Sequence, residues 1–115
     1  MKPIRSERTA AQKETLLILV SNDKHLDHVV NLTAAAHAKG KQVHLFFTGK
    51  GVSLTLAPKF RQLAGKADVS ICGFSFQANG LHGREQEVLD VTEADFTTQA
   101  KNAKLLAGAH RHLVF

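Results

Sequence analysis

The sequence predicts an α/β fold with a mostly parallel sheet of about five strands and helices on both faces. Short apolar runs alternate along the chain with segments of helical spacing, which is the pattern of strand–helix–strand units. The apolar runs are continuous rather than alternating, as expected for strands that are covered on both faces. With 115 residues, of which 43% are hydrophobic, the chain suits one domain with a two- or three-layer core.

The first predicted unit is a strand followed by a helix. Residues 15–20 form a continuous apolar run with β-branched members, typical of a buried strand. Residues 21–23 offer side chains that cap helix N-termini, and residues 26–38 then carry apolar side chains at helical spacing. Gly40 follows as a C-terminal glycine.

The second unit repeats this pattern. Residues 42–47 predict a strand, and the glycine-containing residues 48–51 end it. Pro58 at a first helical position and Gly65 behind an apolar pair frame a second helix.

The last third of the chain predicts shorter elements. Residues 74–78 indicate a short helix, and residues 88–91 a brief edge strand. The Thr-Glu-Ala-Asp sequence at residues 92–95 resembles a capping box that opens a helix, which Gly108 ends. Residues 112–115 predict a final short strand.

The third predicted strand, residues 68–72, ends in the only cysteine of the sequence, Cys72. Parallel sheets bind ligands at the carboxyl ends of their strands, so we expect a solvent-reachable thiol there. Backbone N–H groups at Gly73, Phe74 and Ser75 are predicted to stabilise the thiolate, because the start of a helix carries partial positive charge. The alternative is that Cys72 is a small buried hydrophobic residue, as free cysteines often are.

Two further segments are predicted at the same edge of the sheet. Gly49, Lys50 and Gly51 follow the second strand, and their N–H groups are candidates to bind an anion. They lack the rest of a P-loop, and a tight turn with a solvated lysine is the simpler interpretation. His25 follows the first strand and is a candidate to position a substrate.

Composition argues against several classes of protein. The sequence has seven histidines but no zinc-motif spacing, so we expect no metal and no cofactor. A net charge of +5 suits anionic partners, but the absence of Trp and Tyr argues against nucleic-acid binding as the primary role.

The same composition bears on location. One cysteine forms no internal disulfide, and the apolar run at residues 16–20 is too short for a signal-peptide core or a membrane span. We therefore expect a cytoplasmic protein without a membrane anchor. Residues 1–14, which hold several of the basic side chains, are predicted to be a flexible basic tail, and residues 15–115 a single domain.

Several short motifs, taken in order, resemble the DsrE/DsrF-like family, which includes sulfur-relay subunits of sulfur oxidation and tRNA thiolation. The resemblance covers residues 16–115. The motifs that carry it are Val43-His44-Leu45-Phe46-Phe47 with Gly51-Val52, Val69-Ser70-Ile71-Cys72, Gly80-Leu81 and Arg111-His112-Leu113-Val114-Phe115.

The resemblance implies a flavodoxin-like three-layer sandwich that assembles as a homo-oligomer, a trimer or hexamer. It also implies a persulfide-carrying cysteine after the third strand, where Cys72 stands, and sulfur donor and acceptor proteins as partners. The leading hypothesis is thus a sulfur-relay carrier, a possible sulfurtransferase. The alternatives are an oligomeric module that binds a small anion or nucleotide, or a structural subunit of a DsrE-type complex, both with a structural Cys72.

Overall fold

The computed structural model describes residues 14–115. The described chain alternates strands and helices, with 3₁₀ segments between some of them. The strands are β1 (Thr15–Val20), β2 (Gln42–Phe47), β3 (Asp68–Cys72), β4 (Phe96–Thr97) and β5 (Arg111–Val114). The α-helices are α1 (Leu26–Ala38), α2 (Gly73–Ala78) and α3 (Gln99–Gly108), and the 3₁₀ segments are Gly49–Leu56, Pro58–Leu63, Glu85–Glu87 and Glu93–Asp95.

All five strands are parallel and lie in the order β4-β3-β2-β1-β5. The chain adds strands in one direction from β1 to β4 and then returns to place β5 beside β1. Because the connections are helical and cover both faces, the predicted fold class, a flavodoxin-like three-layer α/β sandwich, is confirmed.

Most of the core lies on one face of the sheet. There α1, α2 and the 3₁₀ segments cover the side chains of alternate strand residues, such as Ile18 and Leu45. Phe47 meets the Phe60 ring edge-on with centroids 5.6 Å apart. The short second helix predicted after Pro58 is present as a 3₁₀ segment, and it contributes Phe60 to this core.

The opposite face is covered more thinly. Leu17, Phe46 and Cys72 are its buried residues, and Leu105 of α3 and Ala109 pack against them. No residue of α3 is buried, and all four residues of β5 are exposed. Since burial of apolar side chains is what holds a surface helix in place, α3 is attached more weakly than α1.

The region between α2 and α3 differs from its predicted form. Asp95 accepts a hydrogen bond from the Thr92 N–H at 2.7 Å, but this capping pair opens a 3₁₀ turn rather than a long helix. Phe96 lies in β4 and packs edge-on against Phe76 at 5.2 Å. Residues 88–91 form no strand, and β4 is the edge strand instead.

Two other predictions concern the N-terminal tail and a membrane anchor. The predicted tail lies outside the described residues except for Glu14, whose carbonyl accepts the Gln42 N–H at 3.0 Å and whose carboxylate pairs with Lys41. Within residues 14–115, no helix has the length and apolar character needed to cross a membrane.

The loop after β2 is seated against the end of β1. The Thr48 N–H donates to the Val20 carbonyl at 2.9 Å. A Cβ atom built on Gly51 would lie 2.2 Å from that same carbonyl oxygen. Only glycine therefore fits this position without moving the backbone.

We predict that Gly51→Ala destabilises the fold by about 2–3 kcal/mol, because the new methyl group overlaps backbone atoms of Val20. Gly108→Ala is the matched control, since a Cβ there meets nothing within 4 Å and alanine favours helix over glycine by about 0.5–1 kcal/mol. Urea unfolding measures both. Equal stability of Gly51→Ala and the parent protein would contradict the proposed close approach.

Candidate functional site at the carboxyl end of β3

Cys72 is the last residue of β3, and α2 begins at the next residue. Its Sγ accepts a hydrogen bond from the Ser75 N–H at 3.4 Å. The sharp change from strand to helix directs this N–H back towards the strand end, where no helical carbonyl is available to accept it. The sulfur therefore takes the place of the oxygen that usually caps a helix.

Ser75 connects Cys72 to two other parts of the chain. Its hydroxyl accepts the Gly49 N–H at 2.9 Å and lies 3.2 Å from Thr48 Oγ1. Gln99, at the start of α3, donates to Thr48 Oγ1 at 2.8 Å. The end of β2, the first turn of α2 and the first turn of α3 are thus joined by one hydrogen-bonded chain beside the sulfur.

Asn79 holds this arrangement from the other side. Its amide nitrogen donates to the Gly49 carbonyl at 3.0 Å and to the Ser75 carbonyl at 2.8 Å. One side chain therefore links the loop after β2 to α2, which fixes Gly49 relative to Ser75.

The environment of Cys72 changes the acidity of its thiol in two opposing ways. Burial raises the pKa because the charged thiolate loses hydration. Hydrogen bonds from the hydroxyl and N–H of Ser75 lower it, as do the Gln99 side chain and the Phe74 N–H. The donors outweigh burial, so the pKa of the Cys72 thiol lies below its ordinary value, and a larger fraction is thiolate near neutral pH.

The sulfur is covered, which corrects the expectation of a solvent-reachable thiol. Cys72 is 3% exposed and belongs to the small core formed with Leu17 and Phe46 beneath Leu105. Leu105 of α3 packs against this small core, so the helix that supplies Gln99 also contributes to the cover on this face of the sheet.

The other predicted site residues do not all lie beside Cys72. Gly73 follows Cys72 directly, and Phe74 projects into solvent with 82% of its surface exposed. Phe76 belongs to the main core. Lys50 is exposed and Gly51 is buried against β1, so of the predicted loop only Gly49 contacts the Cys72 surroundings.

His25 lies elsewhere. Its ring is 5.8 Å from that of His28 and 6.1 Å from that of Phe115, beside the ends of β1 and β5. Since β1 is two strands away from β3 in the sheet, His25 belongs to a different part of the edge from Cys72.

Sequence reasoning missed Thr48, Asn79 and Gln99. Thr48 directly follows a predicted strand, and that position was an available signal. Gln99 carries no such signal, because its contact with Thr48 joins residues 51 positions apart. Within residues 14–115, no three His, Cys, Asp or Glu side chains are grouped so that they could hold a metal ion.

Comparisons with known proteins do not assign a role to this site. No family model matches the sequence, and no curated protein matches it either. The chemistry of Cys72 is therefore judged from its own contacts and burial.

We predict that Ser75→Ala raises the pKa of the Cys72 thiol, because it removes the hydroxyl donor and leaves only backbone and Gln99 donors. The midpoint of iodoacetamide alkylation against pH should move to higher pH. Ser53→Ala is the control, since the Ser53 hydroxyl donates to the Lys50 carbonyl at 2.9 Å and does not contact the sulfur. An unchanged midpoint in Ser75→Ala would show that the hydroxyl does not stabilise the thiolate.

Proposed function

We propose that the protein is a DsrE-like sulfur carrier that holds a persulfide on Cys72 and acts as a sulfurtransferase. The observation that carries this proposal is the Cys72 sulfur at the carboxyl end of a parallel strand, with hydrogen-bond donors that favour its thiolate. The resemblance of residues 16–115 to the DsrE/DsrF-like family supports the same assignment.

Persulfide transfer requires little more than a thiolate and an approach path. The Cys72 thiolate attacks the outer sulfur of a donor persulfide, R–S–SH. A bond forms between Sγ and the outer sulfur while the donor S–S bond breaks, and the donor leaves as R–S⁻. In the second step an acceptor thiolate attacks the outer sulfur on Cys72 and releases the Cys72 thiolate, with no net oxidation or reduction.

The hydrogen-bonded chain supplies the stabilisation that this sequence needs. Cys72 is the nucleophile in the first step and the leaving group in the second, and a low thiol pKa favours its departure. The Ser75 N–H donates to the sulfur at 3.4 Å, and the Ser75 hydroxyl also lowers the pKa of the thiol. Thr48 and Asn79 act as positioning residues, because they hold Ser75 and Gly49 in place.

Transfer also requires that α3 moves away from the sulfur. None of its residues is buried, and its apolar attachment at this face consists of Leu105 with the adjacent Ala109. Local opening of weakly packed segments is common in folded proteins. We infer that partner binding or spontaneous opening of α3 exposes Cys72 for each transfer.

The proposed partners are sulfur donor and acceptor proteins in the cytoplasm, together with further copies of this chain as a trimer or hexamer. Phe74 next to the site is 82% exposed, and Val114 of β5 is 61% exposed. We propose that Phe74 belongs to an interface with a partner beside the transfer site.

A second candidate function is favoured by the burial of the sulfur. A residue that is 3% exposed is also what a structural cysteine would be. In that case the protein would be an oligomeric anion- or nucleotide-binding module, or a structural subunit of a DsrE-type complex. Reactivity of the sulfur separates the two candidates.

We predict that incubation with a small-molecule persulfide donor adds one sulfur atom to Cys72, which intact-protein and peptide mass spectrometry would detect. The adduct should be absent from Cys72→Ser and should disappear on addition of an acceptor thiol. Absence of an adduct on the parent protein, or equal labelling of Cys72→Ser, would remove the carrier function and favour the structural role.

We further predict that Leu105→Ala speeds alkylation of Cys72 in the folded protein by about fivefold, because less apolar surface holds α3 closed. Leu106→Ala is the matched control, as Leu106 is 39% exposed and is not among the residues that pack against the small core of Leu17, Phe46 and Cys72. Equal rates in the two variants would show that α3 does not control access.

A further inference from the structure

A cleft of about 500 Å³ lies beside the outer edge of β3, away from the carboxyl end that holds Cys72. Only Ile71 and Cys72 of β3 pair with β4, so within residues 14–115 no strand lies beside residues 68–70 on that side. Backbone N–H and C=O groups alternate between the two sides of a strand. At least one of residues 68–70 therefore directs its backbone N–H and C=O groups towards the cleft. A strand edge of this kind can accept an added strand.

The walls of the cleft have the composition of a peptide groove. The apolar side chains of Phe60 and Leu63 line the cleft, and so do those of Leu89 and Val91. Leu89 is 44% exposed there, although it is a large apolar side chain. Alternate side chains of an added strand would point towards these apolar surfaces.

The rim of the cleft is acidic. Three carboxylates, on Asp68, Asp90 and Asp95, line the cleft together with one ammonium group, on Lys101. This local excess of negative charge contrasts with the net charge of +5 for the whole sequence. The negative charge of the rim favours lysine and arginine side chains in a bound segment.

We propose that this cleft binds an extended basic segment of a partner protein, which adds to the sheet as a strand beside β3. The open edge supplies backbone hydrogen bonds, the apolar walls take alternate side chains, and the carboxylates select the basic ones. The residues that line this cleft do not include Cys72, Ser75 or Gln99.

Fluorescence anisotropy with a labelled peptide of about six residues, in which valine alternates with lysine or arginine, tests the proposal. We expect saturable binding. A peptide with glutamate at the basic positions should bind at least tenfold more weakly, and so should the basic peptide with alternate backbone amides N-methylated, because it keeps its charge but loses half of its donors. Amide exchange at residues 68–70 should slow when the basic peptide binds.

A pair of charge-matched variants locates the site. Asp90→Asn should weaken binding about threefold, as expected for one exposed ion pair, and asparagine tolerates the positive φ of 64° at this position. Asp23→Asn, which removes an exposed carboxylate beyond β1, should leave binding unchanged.

Three results would overturn the proposal. Equal binding of the N-methylated peptide would exclude strand addition, and equal effects of Asp90→Asn and Asp23→Asn would exclude this cleft. If the basic peptide binds only after residues 2–13 are deleted, and a peptide of residues 1–13 competes with it, the cleft belongs to this chain's own basic segment and not to a partner.

Discussion

The hydroxyl of Ser75 is the point on which the arrangement around Cys72 depends. It accepts the Gly49 N–H, lies against Thr48 Oγ1 and helps to lower the pKa of the Cys72 thiol. A hydroxyl has one proton to donate and two lone pairs to accept. Because Gly49 already donates to it, its proton remains for Thr48 or for the sulfur, so the position of the loop after β2 affects how well the thiolate is stabilised.

The position of that loop is in turn set by the sheet. Gly51 approaches the Val20 carbonyl so closely that a side chain is excluded, and Thr48 donates to the same carbonyl. The end of β1 therefore positions the loop, the loop positions Ser75, and Ser75 contacts Cys72. A buried parallel sheet, in which each strand end is held by its neighbours, suits this purpose because its strands are rigid relative to one another.

The sequence was sufficient for the main strands and for the placement of Cys72, because continuous apolar runs and a strand-ending cysteine are local signals. It was insufficient around residues 92–98. There Thr92 and Asp95 form their local capping pair, but packing of Phe96 against Phe76 directs the chain into β4. Packing of Leu105 against the small core that contains Cys72 was equally unpredictable, since it depends on which face of the sheet α3 crosses.

The thin cover over Cys72 bears directly on how a buried thiol can exchange sulfur. Moving α3 breaks the bond between Gln99 and Thr48, which contributes about 1 kcal/mol, and exposes part of Leu105 and of the apolar residues beneath it, at about 2–3 kcal/mol. A total of about 3–4 kcal/mol leaves the open form near 0.1–1% of the population. Such a fraction keeps the sulfur away from adventitious oxidants for most of the time. A partner that binds the open form needs only a few kcal/mol of preferential affinity to make that form dominant. A thiol that is covered most of the time can therefore still exchange sulfur with a partner.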